Sequence, residues 1–344
     1  MSLRLRNPLK MLRSKAIAID IGTSQTIIAE PNGEVLLNEP TVVALEQGTS
    51  KVLVTGTEAK TYLGKAPDRI RVARPVEAGG IVDFDAAREL LRRFLAQVLP
   101  GNGARIKACI AVPHGLTELE KRTIVDCCKA AGVSKADLVS APLAAAVGAG
   151  LDITQPKGRL VLGIGAGLAE ASVICLSDVV HFETIKCGGE AFHAAVTRHL
   201  TAQFQISIGE NMAEMATIYL AYAAPAPSER TLTLTGKYAA TGTPCSLELT
   251  QADMEGALAG PLEDLANLVQ SVMEHAPAEL VADIGDSGLL LYGGAAQLCG
   301  LDRHLSERLK LRVTLAKDPN LAAILGAAAA LRPDLNFRKI LLRR

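Results

Sequence analysis

The chain carries no net charge, because 36 lysines and arginines balance 36 aspartates and glutamates. That balance removes the electrostatic footprint of a protein whose whole surface binds nucleic acid, so no nucleic-acid partner is expected. It also leaves little like-charge repulsion between copies, which permits self-association without requiring it. No CxxC pair occurs. The seven cysteines, Cys109, Cys127, Cys128, Cys175, Cys187, Cys245 and Cys299, are scattered and odd in number, the pattern of reduced thiols in a cytoplasmic chain and not of a disulfide framework or a structural metal. The adjacent Cys127 and Cys128 point about 100° apart on a helix and read as packing residues. No apolar run reaches the roughly eighteen residues of a spanning helix, and the basic stretch Met1–Lys15 lacks the continuous apolar core of a signal peptide. A body that is neither secreted nor membrane-spanning is expected.

What is present is ample material for a core. At 344 residues and 49% apolar content, the chain is globular and long enough for two domains or one bilobed body. Its most informative feature is an internal echo. Ala16–Glu30 reads AIAIDIGTSQTIIAE and Leu160–Ile174 reads LVLGIGAGLAEASVI. Each is strand, glycine turn, strand, the pattern of a hairpin whose tip exposes backbone N–H groups. Two copies predict two similar halves. Strands such as Ile106–Val112 alternate with helical stretches at Asp85–Val98 and Leu116–Ala131, which places the chain in the α/β class. Asp85 is the expected N-cap, with Leu90, Leu91, Phe94, Leu95 and Val98 forming the buried stripe. Gly33–Val76 and Val180–Cys245 read as smaller units appended over the cleft. Tyr222–Arg230 reads as a Pro/Ala loop, followed by threonine-rich exposed β-structure.

Tight turns with converging N–H groups cradle phosphates, and glycines allow the close backbone approach. Asp20, Gly22, Thr23, Ser24 and Gln25 fit such a cradle, with Asp20 at the strand end to hold Mg²⁺ through water. A plain hairpin turn would explain that sequence alone. The second turn, Gly163-Ile164-Gly165-Ala166-Gly167, would close on the same phosphates from the other half. A third motif, Leu289–Gly300, runs an apolar strand into Gly293, Gly294, Ala295 and Ala296 and then a helix over Leu301–Leu309. Glycines there let a nucleoside lie flat on the backbone near a helix N-terminus.

In order and spacing these residues resemble the actin superfamily, and within it the MreB branch of bacterial actins. The resemblance runs nearly the whole length, through NEPTVVAL at Asn38–Leu45, GTEAK at Gly56–Lys60, APLAAAVGAGL at Ala141–Leu151, GGEAF at Gly188–Phe192, IGENMAE at Ile208–Glu214, GGAAQLCGLD at Gly293–Asp302 and KDPNLAAILG at Lys317–Gly326. It implies an actin-like fold of two duplicated RNase H-like lobes around a nucleotide cleft. Expected boundaries are a basic segment 1–15, lobe I over 16–144, lobe II over 145–319, and a return to lobe I with a basic tail over 320–344. It implies ATP and Mg²⁺ as ligands. The phosphate contacts fall on Thr23, Ser24 and Gln25 and on Gly165, Ala166 and Gly167. The adenosine contacts fall on Glu210, Ala213, Glu214, Gly293 and Gly294, with Glu210 and Glu214 one helical turn apart.

The departures bear on mechanism. The family's second hairpin carries an aspartate near the metal and a threonine after its glycines, where this chain has Gly163 and Leu168. The family's linking helix begins with a glutamate that orients the attacking water, and Ala141, preceded by Ser140, stands there. Losing a positioned acid or base typically costs ~10²–10⁴ in rate, whereas affinity resting on backbone amides and a cation survives. Nucleotide binding with weak hydrolysis is therefore expected, no residue is assigned a catalytic role with Asp20 as the metal-water site, and Glu170 and Asp83 are the neighbouring acids that would partly compensate. His114 and His193 read as structural or surface residues.

Both ends are basic. Arg4, Arg6, Lys10, Arg13 and Lys15 accompany Leu5, Leu9 and Leu12 on one helical face, so Met1–Ser14 is expected to touch the inner face of a membrane, with Phe337–Arg344 as a second contact. Many such weak contacts along a filament add up by avidity. The resemblance implies a homopolymer that maintains rod shape by organising cell-wall synthesis, with cell-shape membrane proteins or a paralogous actin as partners. Two other readings stand beside it: a specialised scaffold that positions an organelle or plasmid, and a small-molecule kinase, for which the sequence offers no acceptor base.

Overall fold

The computed structural model describes residues 14–99, 105–224, 230–333 and 340–342. Two five-stranded sheets organise them, and the internal echo becomes a repeated topology. In lobe I the central strand Ser14–Ile21 has Gln25–Ala29 and Val35–Pro40 as an antiparallel meander on one side. Arg105–Val112 and Val133–Ser140 run parallel on the other. Lobe II repeats the order: Arg159–Ile164 is central, Ala169–Cys175 and Asp178–Ile185 form the meander, and Leu289–Tyr292 and Val313–Leu315 are the parallel pair. The parallel strands are covered on both faces, which is why they are near-continuous Ile, Val, Leu and Ala; Ile17, Ala18 and Ile19 are all buried.

Helices cover the sheets as their apolar stripes require. Phe84–Val98 buries Leu90, Leu91, Phe94 and Leu95. Its N-cap is Asp83, whose carboxylate accepts from the Ala86 N–H at 3.0 Å. The expected cap, Asp85, lies one residue inside the helix and pairs with Arg88 instead. Glu118–Ala130 starts two residues later than Leu116 because Thr117 and Glu120 form a reciprocal capping box.

Each lobe has its own core, and a third core joins them. At its centre two alanine-rich helices, Ala141–Gly148 and Ala322–Ala330, pack against each other, and the second also lies on Ser14–Ile21, Gln25–Ala29 and Arg105–Val112. Their backbones touch: a Cβ at Gly148 would lie 2.9 Å from the Gly326 N, and one at Gly326 would lie 2.8 Å from Ala144 Cα. Val161, Ile174, Leu290 and Tyr292 of lobe II meet Ala18, Ile27, Cys109 and Val139 of lobe I in this core. The strand ends carrying the two glycine turns are thus tied through one shared interior.

Two three-stranded sheets sit apart from the main ones. Val43–Glu46, Val52–Thr55 and Ile70–Ala73 form the first, with the short helix Gly56–Lys60; Ile206–Ser207, Thr231–Tyr238 and Pro244–Thr250 form the second. The appended units expected at 33–76 and 180–245 therefore begin too early in the sequence reading. Val35–Pro40 and Asp178–Ile185 are the third strands of the main meanders, and Gly189–Phe204 buries Phe192, Val196 and Leu200 in the lobe II core. As sheet edges, both strands leave many side chains exposed, which made them look like parts of small exposed sheets.

Most of the two basic ends, 1–13 together with 334–339 and 343–344, falls outside the described residues, so the expected amphipathic segment Met1–Ser14 and much of Phe337–Arg344 do too. Ser14 and Lys15 belong to the first strand and not to a helix. Ile340 is buried, Leu341 bridges to Val139, and the Leu342 N–H donates to the Leu138 carbonyl at 2.9 Å. These apolar tail residues are spent on lobe I and are not free for lipid. Among the described residues no helix is long and apolar enough to cross a membrane.

Candidate functional site

The two glycine turns meet at one cavity of about 530 Å³ between the lobes. Each is a tight hairpin closed by one backbone bond, Gly22 N–H to the Gln25 carbonyl and Gly165 N–H to the Leu168 carbonyl, both 2.9 Å. The tips nearly touch: a Cβ on Gly167 would lie 3.3 Å from Thr23 Oγ1. Among the described residues the N–H groups of Thr23, Ser24, Ala166 and Gly167 donate to no other backbone group. Unspent amides on two facing tips at one cavity are the arrangement that suits an anion. The carbonyls behind the second tip are occupied, because Gly189 and Glu190 at the start of Gly189–Phe204 donate to those of Gly165 and Ala166 at 2.9 and 2.8 Å. The tip is thereby fixed to a helix.

Asp20, Gly22, Thr23, Ser24, Gln25, Gly165, Ala166 and Gly167 all border the cavity. Gly293, Gly294 and Ala295 do so from the third motif. Gly293 has φ +96 and its backbone lies against that of Ile164, so a side chain there would be both strained and blocked. Ala296 is buried beneath. The strand does not feed the helix directly: a 3₁₀ turn, Gly294–Gln297, intervenes before Leu301–Leu309.

The helix Glu210–Tyr219 differs more from expectation. Glu214 borders the cavity together with Thr217 and Ile218, but Ala213 is buried inside and Glu210 lies outside it. Both glutamates are engaged across the cleft, Glu214 with Lys60 at 2.7 Å and Glu210 with Arg74. Their i, i+4 spacing does place them on one face, and that face meets the basic residues of the lobe I small unit.

The register of the central strands explains the electrostatics. Asp20 pairs with Ile27 and Ala111 on its neighbours. The equivalent Gly163 pairs with Glu170 on one side and Tyr292 on the other. Cross-strand partners share a face, so Glu170 and Tyr292 flank the gap that Gly163 leaves. The Asp20 carboxyl, which opens only onto the cavity, is pushed up to about 6 by burial. Glu170 is pushed up to about 7 by burial, partly opposed by the His114 N–H, which donates to both its oxygens at 3.1 and 3.2 Å. Burial, with the charges of Glu170 and Asp20 added, holds the Tyr292 phenol well above its ordinary range. Two carboxylates raised by desolvation at one anion cradle suit a hard divalent cation, which relieves the penalty on both.

Several residues were missed or misjudged from sequence. His193, expected to be structural or surface, borders the cavity, its pKa lowered chiefly by burial. His114, also read as structural or surface, is structural: its N–H joins the lobes through Glu170 and its Nδ1 bonds Ser140 Oγ at 3.0 Å. Asp83 is committed to its cap and to Arg71, at 3.3 Å, and does not reach the cavity. Pro319 and Asn320 close the cavity from KDPNLAAILG, a motif noted for resemblance but given no role. Ala141 borders the cavity as a bare methyl. Among the described residues the acids around the cavity are Asp20, Glu170 and Glu214.

With this geometry in hand, comparison with known proteins is specific. The family model for the MreB/Mbl protein matches residues 14–337. The cell shape-determining protein MreB of Escherichia coli (strain K12) is 34% identical over 324 residues, covering 92% of this chain and 93% of that one. The cell shape-determining protein Mbl of Bacillus subtilis (strain 168) is 32% identical over 319 residues, covering 92% and 96%. The crystal structure of MreB5 of Spiroplasma citri bound to AMPPNP superposes with a TM-score of 0.88 at 25% identity, covering 92% of this chain and 96% of that one. A MamK double helical filament subunit shares the fold at a TM-score of 0.76 and 19% identity, covering 91% and 98%. The repeated sheets, the paired turns and these matches agree: the chain has the actin-like fold and belongs to the MreB/Mbl family.

Proposed function

We propose that the chain binds ATP between its two turns and polymerises into filaments that serve cell shape, hydrolysing its nucleotide slowly. The observation that carries the reading is the cavity itself, with four unspent amides on two facing tips. One relative of the same fold, MreB5 of Spiroplasma citri, was solved both with AMPPNP and with ADP. The amides of Thr23, Ser24, Ala166 and Gly167 would bind the phosphate chain, while Gly293 and Gly294 give the nucleoside a flat backbone floor. Asp20 and Glu170 would hold Mg²⁺, whose positive charge would offset that of the phosphates.

Slow turnover follows from the residues around the phosphates. Ala141 offers no base for water, and Glu170, the nearest substitute, already accepts from the His114 N–H. Self-association is supported by the filament of the MamK relative, and the absence of net charge permits it. Attachment to the inner face of a membrane through Met1–Ser14 is part of the proposal, as is a cytoplasmic location with cell-shape membrane proteins or a paralogous actin as partners. The bare Ala141 and Gly163 also favour a second reading, a scaffold that positions a cellular structure without cycling.

Purified protein with ATP, followed by electron microscopy and phosphate release, tests the proposal. Filaments with release ~10²-fold or more below a glutamate-bearing relative are expected. Monomers at all concentrations, or release at the relative's rate, would contradict it. Equal co-sedimentation with liposomes by full-length protein and a variant lacking Met1–Ser14 would remove the membrane contact.

A further inference from the structure

The place of the missing second-turn acid is not vacant. A Cβ at position 163 would fall on the Tyr292 ring, 2.8 Å from Cε1 and closer to Cζ and the hydroxyl oxygen. The phenol therefore stands where any side chain from 163 would begin. Tyr292 is 7% exposed, and what exposure it has is toward the cavity. Among the described residues no hydrogen bond is made by its hydroxyl, which is not fully enclosed and so opens onto the cavity. An accessible O–H in the wall between the two turns is placed to donate to a ligand atom.

We propose that Tyr292, standing in the space of a second-turn side chain, is a phosphate-binding residue, its hydroxyl donating directly to the phosphate chain, so that nucleotide affinity here depends less on Mg²⁺ than in a site with an acid at 163. The inference rests on the nucleotide reading above. Its physical basis is the exchange of charge. An aspartate in that position repels phosphate until a cation intervenes, whereas a neutral phenol is itself a donor to phosphate oxygens. The steric relation makes the two positions interdependent: an aspartate at 163 requires a smaller residue at 292, and Gly163 alone would leave a hole that Tyr292 fills.

The test is ATP affinity of the full chain by calorimetry, with Mg²⁺ and with EDTA, for the wild type, Y292F and the exchange G163D/Y292T. Because Asp20 and Glu170 still face the phosphates, removing Mg²⁺ is expected to weaken wild-type binding, but by a factor at least about tenfold smaller than in G163D/Y292T. Y292F keeps the ring and the packing but loses the donor, and should weaken binding in EDTA by about tenfold or more. G163D/Y292T should restore metal dependence, with a ratio between the two buffers well above that of the wild type. If the exchange variant fails to fold, Y292F still decides. A wild-type loss in EDTA as large as that of G163D/Y292T, or Y292F equal to wild type in both buffers, overturns the proposal while leaving nucleotide binding intact. No ATP binding in either buffer overturns the nucleotide reading and this inference with it.

Discussion

The two turns occupy equivalent places in equivalent sheets, yet one carries polar side chains on its own strand and tip and the other has them only on its neighbours. In lobe I the central strand carries Asp20 and its turn carries Thr23 and Ser24, flanked by the apolar Ile27 and Ala111. In lobe II the central strand carries Gly163 and its turn only Ala166 and Gly167, while the flanking strands carry Glu170 and Tyr292. In lobe II the acid stands one strand to one side of the centre and a phenol one strand to the other. Backbone donors are the same in both halves, so an anion cradle tolerates this difference, whereas the proton and metal chemistry that depends on side chains does not.

The largest expected effect comes from the two acids together. Both have folded pKa values above their ordinary ones, so the native state binds more protons than the unfolded chain between about pH 4 and 7. Their contribution is full below pH 4 and is lost as pH rises through about 6 for Asp20 and about 7 for Glu170. Urea unfolding of nucleotide-free protein should show a loss on the order of 5 kcal/mol between pH 4 and 8 from this pair. The isosteric D20N/E170Q variant isolates it: the difference between variant and wild type should grow with pH, and a constant difference would show that the two halves do not share a desolvated site.

Restoring the acid to the second turn tests the asymmetry directly. G163D alone forces a side chain into the Tyr292 ring and a third carboxyl beside Asp20 and Glu170, at an expected cost of about 3 kcal/mol in denaturant unfolding. Y292T in the same chain should recover more than half. Additive losses in the double variant would mean that the two positions are uncoupled.

The turns also differ in the room they leave. A Cβ at Gly22 would lie 2.9 Å from the Gln25 carbonyl oxygen that closes its own turn, while one at Gly165 would have nothing nearer than the Leu168 carbonyl oxygen at 3.5 Å. G22A should therefore lower stability by about 1–2 kcal/mol and weaken ATP binding, and G165A should do neither by more than about 0.5 kcal/mol. Calorimetric ATP titration of the pair checks this, and equal effects would show the turns to be interchangeable.

How much of this was legible beforehand varies with the kind of contact. The duplication was visible because the strand–glycine–strand pattern is local, and the turn residues Gly22–Gln25 and Gly165–Gly167 follow from it. What failed depends on cross-strand register and on distance through space. Nothing in the sequence near Gly163 points to Tyr292, more than a hundred residues away, and only the parallel pairing of their strands brings them together. Glu210 and Glu214 were placed on the correct face, but Arg74 and Lys60, which claim them, belong to the other lobe. Asp83 was displaced by Asp85 as a cap because the two residues share a type and a neighbourhood, and only the Ala86 bond separates them.

Those cross-lobe pairs supply the smallest expected effect and the last test of the comparison, because they act at the mouth of the cleft whose floor the turns form. Lys60–Glu214 is half-buried and Arg74–Glu210 partly exposed, so each should contribute only about 0.2–1 kcal/mol to stability, and less in high salt. Their leverage lies in the angle between the lobes. Removing both with K60A/R74A frees the small units while leaving every turn residue in place, so stability should fall by under about 2 kcal/mol. If the second turn reaches the phosphates only when the mouth is closed, K60A/R74A should weaken ATP binding, and 1 M salt should weaken wild-type binding in the same direction. If the shared alanine-helix core alone sets the distance between the tips, affinity should stay as it was, and the asymmetry between the turns is then a property of the cleft floor with no contribution from its rim.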